Sequence, residues 1–357
     1  MKILHVTFEN FQDVPGLLSR SHAFFGDQGA LVTMSRSKLG FPNGILLNYP
    51  MLNSPVIRRM RSLTGRENVN VPGDRLSLRI RGNHWGKRLF LKTRDLLWLQ
   101  RLHNAWQQDE LDSYDIYHFD GDMPFIFGDR ILKKLKDKKK HLVTHFFGTD
   151  LRKWGMNPYL KNDAELRFTS EVDHTKIDPS LIFVPIPYEA DRVMPRDSEN
   201  AVLRIGHSPT RRTAKGTQDI MDSIARIQRK SKPRFEFVLI ENVSHRRCME
   251  IKATCDIGID QVGNYAGTAY GRSGLEFLAL GKPTITEIPD EYEHLLPGHP
   301  FIKATKDTLT GVIARTLENG DLRRQKRKQG IDWVRTFPHP RRIISLMYDE
   351  YHRLGWK

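Results

Sequence analysis

The chain is poor in the features that build several classes of protein. It has 2 cysteines in 357 residues, Cys248 and Cys255, too few for a disulfide framework or a zinc site. No apolar run approaches the roughly 18 residues that a membrane-spanning helix needs. Neither an internal repeat nor a low-complexity tract is evident. Met1-Lys2 runs directly into Ile3-Leu4-His5-Val6-Thr7-Phe8, a strand pattern and not a secretion signal. The expectation is a cytoplasmic protein, at most peripheral to the inner face of a membrane. Acids are the scarcer charge, 42 Asp and Glu against 57 Lys and Arg, leaving a formal net charge of +15. Such a balance predicts attraction to something anionic: a membrane surface, a nucleic acid or a charged glycan.

What is present is length and alternation. The chain exceeds one ordinary core and most simply makes two domains. Both halves alternate short apolar runs with amphipathic stretches, so two α/β domains fit better than one barrel. The polar stretch 195–200 separates Ile182-Phe183-Val184 from Val202-Leu203-Arg204-Ile205. The expected domains are therefore 1–195 and 196–338, with a helix over 339–357.

Residues 255–287 carry the most functional information. Asp256-Ile257-Gly258-Ile259-Asp260 reads as a buried parallel strand. A glycine- and tyrosine-containing loop follows. Ser273 to Leu280 has helical spacing, Gly281 is its C-terminal stop, and Pro283-Thr284-Ile285-Thr286 begins the next strand. That unit puts a helix N-terminus at the carboxyl edge of a parallel sheet, where free N–H groups and the helix dipole favour a phosphate. Glu276 is placed in the first turn, where its carboxylate can accept two hydrogen bonds from a ribose diol.

In chain order, Pro15-Gly16 opens a helix with Leu17, Phe24 and Phe25 toward a core, ended by Gly29. Lys87 to Gln108 reads as a long helix carrying Phe90, Leu97 and Trp98. Between Arg58 and Arg94 there are 11 Lys or Arg against Glu67 and Asp74. Within that stretch Arg79, Arg81, Trp85, Lys87 and Arg88 mix cations with an aromatic, as a surface facing phosphates or lipid headgroups does. Asp115 to Phe119 is a short strand. Asp120-Gly121-Asp122 reads as a turn and helix cap and not as a metal motif, and 124–135 as a helix. Lys133, Lys134, Lys136, Lys138, Lys139 and Lys140 suit a helix C-terminus or an anionic lipid surface. In 207–217, Arg211, Arg212 and Lys215 lie in a strand-to-helix loop and can converge on a diphosphate, arginine as a fork and lysine as a point charge.

These segments resemble the GT-B glycosyltransferases, close to the retaining group often called family 4. Gly274-Leu275-Glu276-Phe277-Leu278-Ala279-Leu280-Gly281-Lys282-Pro283 matches the second half of that group's Glu–x7–Glu motif. The first glutamate falls at position 268, which is threonine here, as in branches with a Tyr-Gly like Tyr270-Gly271. His145-Phe146-Phe147-Gly148-Thr149-Asp150-Leu151-Arg152 resembles the family's His-Gly-Ser-Asp segment, and Lys215-Gly216 its pyrophosphate lysine. The resemblance implies two Rossmann-like domains facing a cleft, with the last helix crossing back to the first domain. It also implies a nucleotide-diphosphate sugar, a UDP or GDP sugar, as co-substrate, with no bound metal required.

Roles follow from the resemblance residue by residue. Lys215, with Arg211 or Arg212, neutralises the leaving diphosphate, and amides near Ser273 and Gly274 assist. Glu276 holds the ribose and His145 meets the transferred sugar. Asp150 orients a hydroxyl or caps the next helix. Gly16 is a candidate for close approach to donor or acceptor. The acceptor expected first is a cell-envelope glycan or lipid-linked glycan. The alternatives are DNA bearing a hydroxylated base, or a catalytically inactive GT-B binding protein, which Thr268 keeps in view.

Overall fold

A computed structural model describes residues 1–50, 85–148, 150–196, 198–230, 234–263 and 269–357, with only the backbone of 85–90 and 153–154. The chain divides into two compact units, Met1–Pro187 with Ile343–Lys357, and Tyr188–Arg342. Among the described residues no helix is long and apolar enough to cross a membrane.

Unit 1 is built on a parallel sheet of β1 (Lys2–Thr7), β2 (Gln28–Thr33), β3 (Ile45–Leu46), β4 (Ile116–Asp120), β5 (His141–Phe146), β6 (Leu166–Thr169) and β7 (Ile182–Phe183). Its order is β3-β2-β1-β4-β5-β6-β7, so the chain reverses direction across the sheet between β1 and β4. Its helices are α1 (Val14–Ser21), α2 (Trp85–Gln108), α3 (Arg130–Asp137), α4 (Asp150–Trp154), α5 (Pro158–Asp163) and α6 (His174–Ile177). Unit 2 carries β8 (Leu203–His207), β9 (Phe235–Leu239), β10 (Ile257–Ile259), β11 (Thr284–Thr286) and β12 (Ile302–Lys303), ordered β12-β11-β10-β8-β9. Its helices are α7 (Thr217–Arg229), α8 (His245–Ala253), α9 (Arg272–Ala279), α10 (Leu309–Glu318) and α11 (Gly320–Thr336). The last helix, α12 (Pro340–Arg353), begins in unit 2 and returns the chain to unit 1.

Strand parity sorts the core of unit 1, because alternate residues face opposite sides of a sheet. Leu4, Val6, Tyr117, Phe119 and Leu142 pack with Trp98, Leu102 and Trp106 of α2 and with Leu132 and Leu135 of α3. Ile3, Ile116 and Val143 pack on the other face with Leu18 of α1 and with Ile343, Met347 and Tyr351 of α12. The same parity puts His5, His118, Asp120 and His145 on this second face. In unit 2, Ile220, Ile224 and Ile227 of α7 are buried against Ile205, Ile257 and Ile259. On the opposite side Gly206 and Gly258 are register partners on β8 and β10. A Cβ at either would meet the Phe277 ring, at 3.0 and 2.4 Å. The paired glycines form a slot that lets α9 lie close on the sheet.

Several expectations change. Gly26, at φ 74°, ends the first helical segment, whereas Gly29 lies within β2, where a Cβ would stand 1.8 Å from the Ser19 carbonyl oxygen. Close backbone approach, not helix termination, explains that glycine. Phe24 is exposed, as is Leu97 of α2, whereas Trp98 is buried as part of a face that includes Leu102. The helix expected over 124–135 starts only at Arg130. The stretch 195–200 is no free linker: Arg196 N–H donates to the Leu280 carbonyl, Glu199 pairs with Arg323, and Asn200 binds Asp256 and Thr254. Those bonds tie it to unit 2, and the division between the units falls at Pro187–Tyr188.

Two glycines make opposite predictions. Gly258→Ala should cost about 1–3 kcal/mol by overpacking against Phe277. Gly311→Ala, in α10 with nothing within 4 Å of the new methyl, should stabilise by about 0.5–1 kcal/mol through helix propensity. Urea melts of both variants check the pair; equal effects would remove the slot argument.

Candidate functional site

Unit 2 reverses its strand order between β8 and β10, so the loops leaving these neighbours diverge and leave a crevice at their carboxyl ends. The loop after β8 turns into α7 through Gly216, at φ 64°, where a Cβ would stand 2.1 Å from the Val262 carbonyl oxygen. That contact fixes where Lys215 emerges. Its ammonium donates to Asp260 Oδ1 and Gln261 Oε1, both at 2.8 Å, beyond the end of β10. Asp260 Oδ2 accepts the Gly271 N–H at 2.5 Å, at the N-terminus of α9. A Cβ on Gly271 would fall 2.3 Å from Lys215 Nζ, and one on Gly274 would fall 3.1 Å from Asp260 Oδ2. Asp260 therefore joins the lysine to the helix end, and the two glycines give it room.

The two arginines of the loop differ. Arg212 is taken up by Glu241, with Nε 2.8 Å from Oε1. Arg211 is exposed, and its side chain has no hydrogen bond or ion pair among the described residues. Of the two, Arg211 is the one whose guanidinium is uncommitted among the described residues. Beneath the loop, His207 is buried, with Nδ1 2.9 Å from the Ile259 carbonyl oxygen and Nε2 2.9 Å from Thr217 Oγ1. Burial lowers its pKa to about 4, keeping it neutral.

Glu276 lies in the second turn of α9, not the first, and it is buried. Burial alone would raise its carboxyl. Lys252, with Nζ at 2.5 Å, the His245 ring, with Nε2 at 2.9 Å, and Arg272, with Nε at 3.3 Å, reverse that effect and hold it well below the usual range. Lys252, itself buried, also donates to Ser273 Oγ at 3.0 Å, and Ser273 reaches Ser208 Oγ at 2.8 Å. A continuous polar track thus runs from the β8 loop through Ser208, Ser273 and Lys252 to Glu276. Tyr270 is buried, stacked on Phe301 and edge-on to Trp333, so it braces the entry to α9.

Lys252, Asp260, His245 and Ser208 were not singled out from the sequence. Only Asp260, an acid closing an apolar strand, carried a local signal. Lys252 is one lysine of a basic amphipathic helix, and nothing local marks it as inward.

The unit 1 candidates are dispersed. His145 is fully buried, with Nε2 3.0 Å from Ser170 Oγ and its ring against Phe147. Asp150, half-buried, opens α4. Gly16 N–H donates to Asn10 Oδ1 at 3.1 Å, and Asn10 and Asp13 already fill the space a Cβ would take. Asp122 is a turn residue at φ 53°, and its carboxylate accepts from Thr144 Oγ1 at 3.0 Å and from the N–H of Asn157, the N-cap residue of α5. Thr268, Arg79 and Arg81 lie outside the described residues, as do the side chains of Trp85, Lys87 and Arg88 at the start of α2. The α3 lysines are largely neutralised: Lys133 by Asp129, Lys134 and Lys138 by Asp112, Lys136 by Asp163.

Lys252→Met should cost about 3–5 kcal/mol, because it strands a buried carboxylate. Lys252→Met/Glu276→Gln should recover most of that loss. The folded state holds the Glu276 proton less tightly than the unfolded chain, whose value is near 4.5. Its contribution is full above that pH and is lost as pH falls below it. The double variant should lack this part of the acid limb in denaturation measured against pH.

No protein-family profile matches this sequence, and no curated protein matches it. Solved structures do. HepE from Anabaena, in complex with UDP, is 10% identical over 99% of this chain and 100% of its own, with a TM-score of 0.57. Sucrose-phosphate synthase from Thermosynechococcus elongatus is 11% identical over 99% of both chains, with a TM-score of 0.62. An α-glucosyltransferase, in complex with UDP and a 13-mer DNA containing an HMU base, is 11% identical over 98% of both chains, with a TM-score of 0.58. At these identities the likeness is one of fold, and it agrees with two parallel sheets joined in one chain. This chain has the GT-B fold of the glycosyltransferases.

Proposed function

We propose that the chain is a retaining glycosyltransferase that takes its sugar from a nucleoside diphosphate, a UDP or GDP sugar, bound in unit 2. The observation that carries this reading is the convergence of Lys215, the Gly271 amide and the α9 N-terminus on Asp260 at the β8–β10 crossover. A diphosphate arriving there meets a lysine, an uncommitted Arg211 and the N-terminus of α9, the charge pattern that stabilises a departing phosphate. Lys215 then exchanges a carboxylate partner for a phosphate, and Asp260 retains the Gly271 amide. This cation set supplies the leaving-group charge without calling on a metal. Glu276 sits at the far end of the track for the ribose diol, its carboxylate kept ionised by Lys252.

On the acceptor side, Asp150 is the partly exposed group for a hydroxyl. His145, buried behind Phe147, supports the β5–α4 turn through Ser170 and does not itself reach solvent. A cell-envelope or lipid-linked glycan is the first acceptor reading. DNA is the second, favoured by the net charge of +15 and by the DNA-bound structure that shares the fold. The neutralised α3 lysines weaken a lipid-docking role for that helix and leave the cations of 58–94 as the anionic-surface candidates.

Thermal shift with UDP-, GDP-, ADP- and CDP-sugars tests the donor site. One base should raise the melting temperature, since ligand at 100 times its Kd adds roughly 2.7 kcal/mol. Lys215→Ala and Arg211→Ala should each lose that shift and the transfer activity while melting normally without ligand. Silence of the wild type across the panel would favour an inactive binding protein. Salt-sensitive DNA retention against liposome flotation separates the two acceptors.

A further inference from the structure

We propose that His5, His118 and Asp120 form a buried site for one divalent transition-metal ion of the zinc class, set into unit 1 where the chain crosses over between β1 and β4. Register brings them together: His5 pairs with His118 across the two strands, and Asp120, two residues on, shares their face. All three are buried. Nδ1 of His5 lies 3.0 Å from Nδ1 of His118 and 2.8 Å from Asp120 Oδ2, and Nδ1 of His118 lies 3.2 Å from Asp120 Oδ1. One ligand atom from each residue falls in a single small cluster.

With Asp120 ionised, protons alone do not satisfy this triangle. Each Nδ1 carries at most one hydrogen. If both donate to Asp120, two N–H groups face each other at 3.0 Å. If one imidazole donates to the other, a bare nitrogen faces a carboxylate oxygen. The 3.2 Å contact indeed lacks hydrogen-bond geometry, and Asp120 Oδ1 has no hydrogen-bond partner among the described residues. A cation turns every edge favourable, because all the lone pairs then point inward. Tetrahedral bonds of about 2.0–2.1 Å separate ligand atoms by about 3.3 Å, so the triangle needs to open by only a few tenths of an ångström.

The surroundings fit the same assignment. With Nδ1 of His5 as ligand, its Nε2–H donates to His22 Nε2 at 2.9 Å. His22 Nδ1–H then donates to the Tyr348 hydroxyl at 3.1 Å, and Tyr348 donates to Asp27 Oδ2 at 2.6 Å. Every proton in that chain has one direction, and every imidazole is neutral. Such an outer shell is what fixes the ring orientation of a metal-binding histidine. It also runs from β1 to α12, so the ion ties the returning helix to the sheet centre. Two imidazoles and a carboxylate select zinc-class ions over magnesium or calcium, which prefer all-oxygen shells.

The experiment is elemental analysis of the full chain purified without chelator, followed by unfolding and refolding with Co2+. About one zinc-class ion per chain and the intense visible bands of tetrahedral cobalt are expected. His118→Gln and Asp120→Asn should lose both signals, and His103→Gln, on the exposed face of α2, should keep them. Should the ligand variants fail to fold, the wild type decides. No cobalt band from refolded wild type, or metal retained at the same level in a folded His118→Gln, overturns the site in favour of a proton-bound His5–Asp120 pair. No nucleotide enters the assay, so the result is independent of the donor reading.

Discussion

A charged side chain taken out of water beneath the carboxyl edge of a parallel sheet must find its partner inside the protein. The candidate donor site is arranged by that requirement. Glu276 is buried because α9 lies close on the sheet, and α9 lies close because Gly206 and Gly258 leave a slot for Phe277. Once buried, the carboxylate demands Lys252, and Lys252 in turn positions Ser273. Coulomb attraction across a contact of this length grows several-fold as the effective dielectric falls from that of water. The pairing thereby fixes geometry as well as charge state.

Asp260 meets the same requirement differently. It holds Lys215 on one side and the amide of Gly271, the residue that caps α9, on the other. Both are groups a diphosphate prefers, and the lysine is only partly buried. On the proposed donor reading, this is the pair whose internal partner gives way to a ligand, whereas the Lys252–Glu276 pair is too enclosed to exchange cheaply.

The two units use one topological device with different chemistry. Each reverses its strand order beside its first strand, β1 in unit 1 and β8 in unit 2. In unit 2 the crossover gathers lysine, arginine and helix amides. In unit 1 it gathers imidazoles and Asp120, on the face that α1 and α12 cover. Burial separates the outcomes: the first cluster is open to a solvated ligand, and the second is sealed beneath helices.

The sequence determined the strand and helix succession of unit 2 from β8 to β11, because those elements are short, strongly periodic and punctuated by glycine, whereas β12, α10 and α11 carried no such reading. It also marked Lys215, Gly216 and the Gly271–Gly274 turn, since a lysine and glycines beside a strand end have few other uses. It did not reveal which charges face inward. Lys252 sits in a helix of ordinary basic composition, Phe24 and Leu97 look like core residues yet are exposed, and Gly29 reads as a helix stop although it serves a backbone contact. Local pattern fixes φ, ψ and the facing period. Partnership of buried charges depends on residues dozens of positions apart: 24 for Lys252 and Glu276, 45 for Lys215 and Asp260, 113 for His5 and His118. Only the folded register of the sheets brings those groups together.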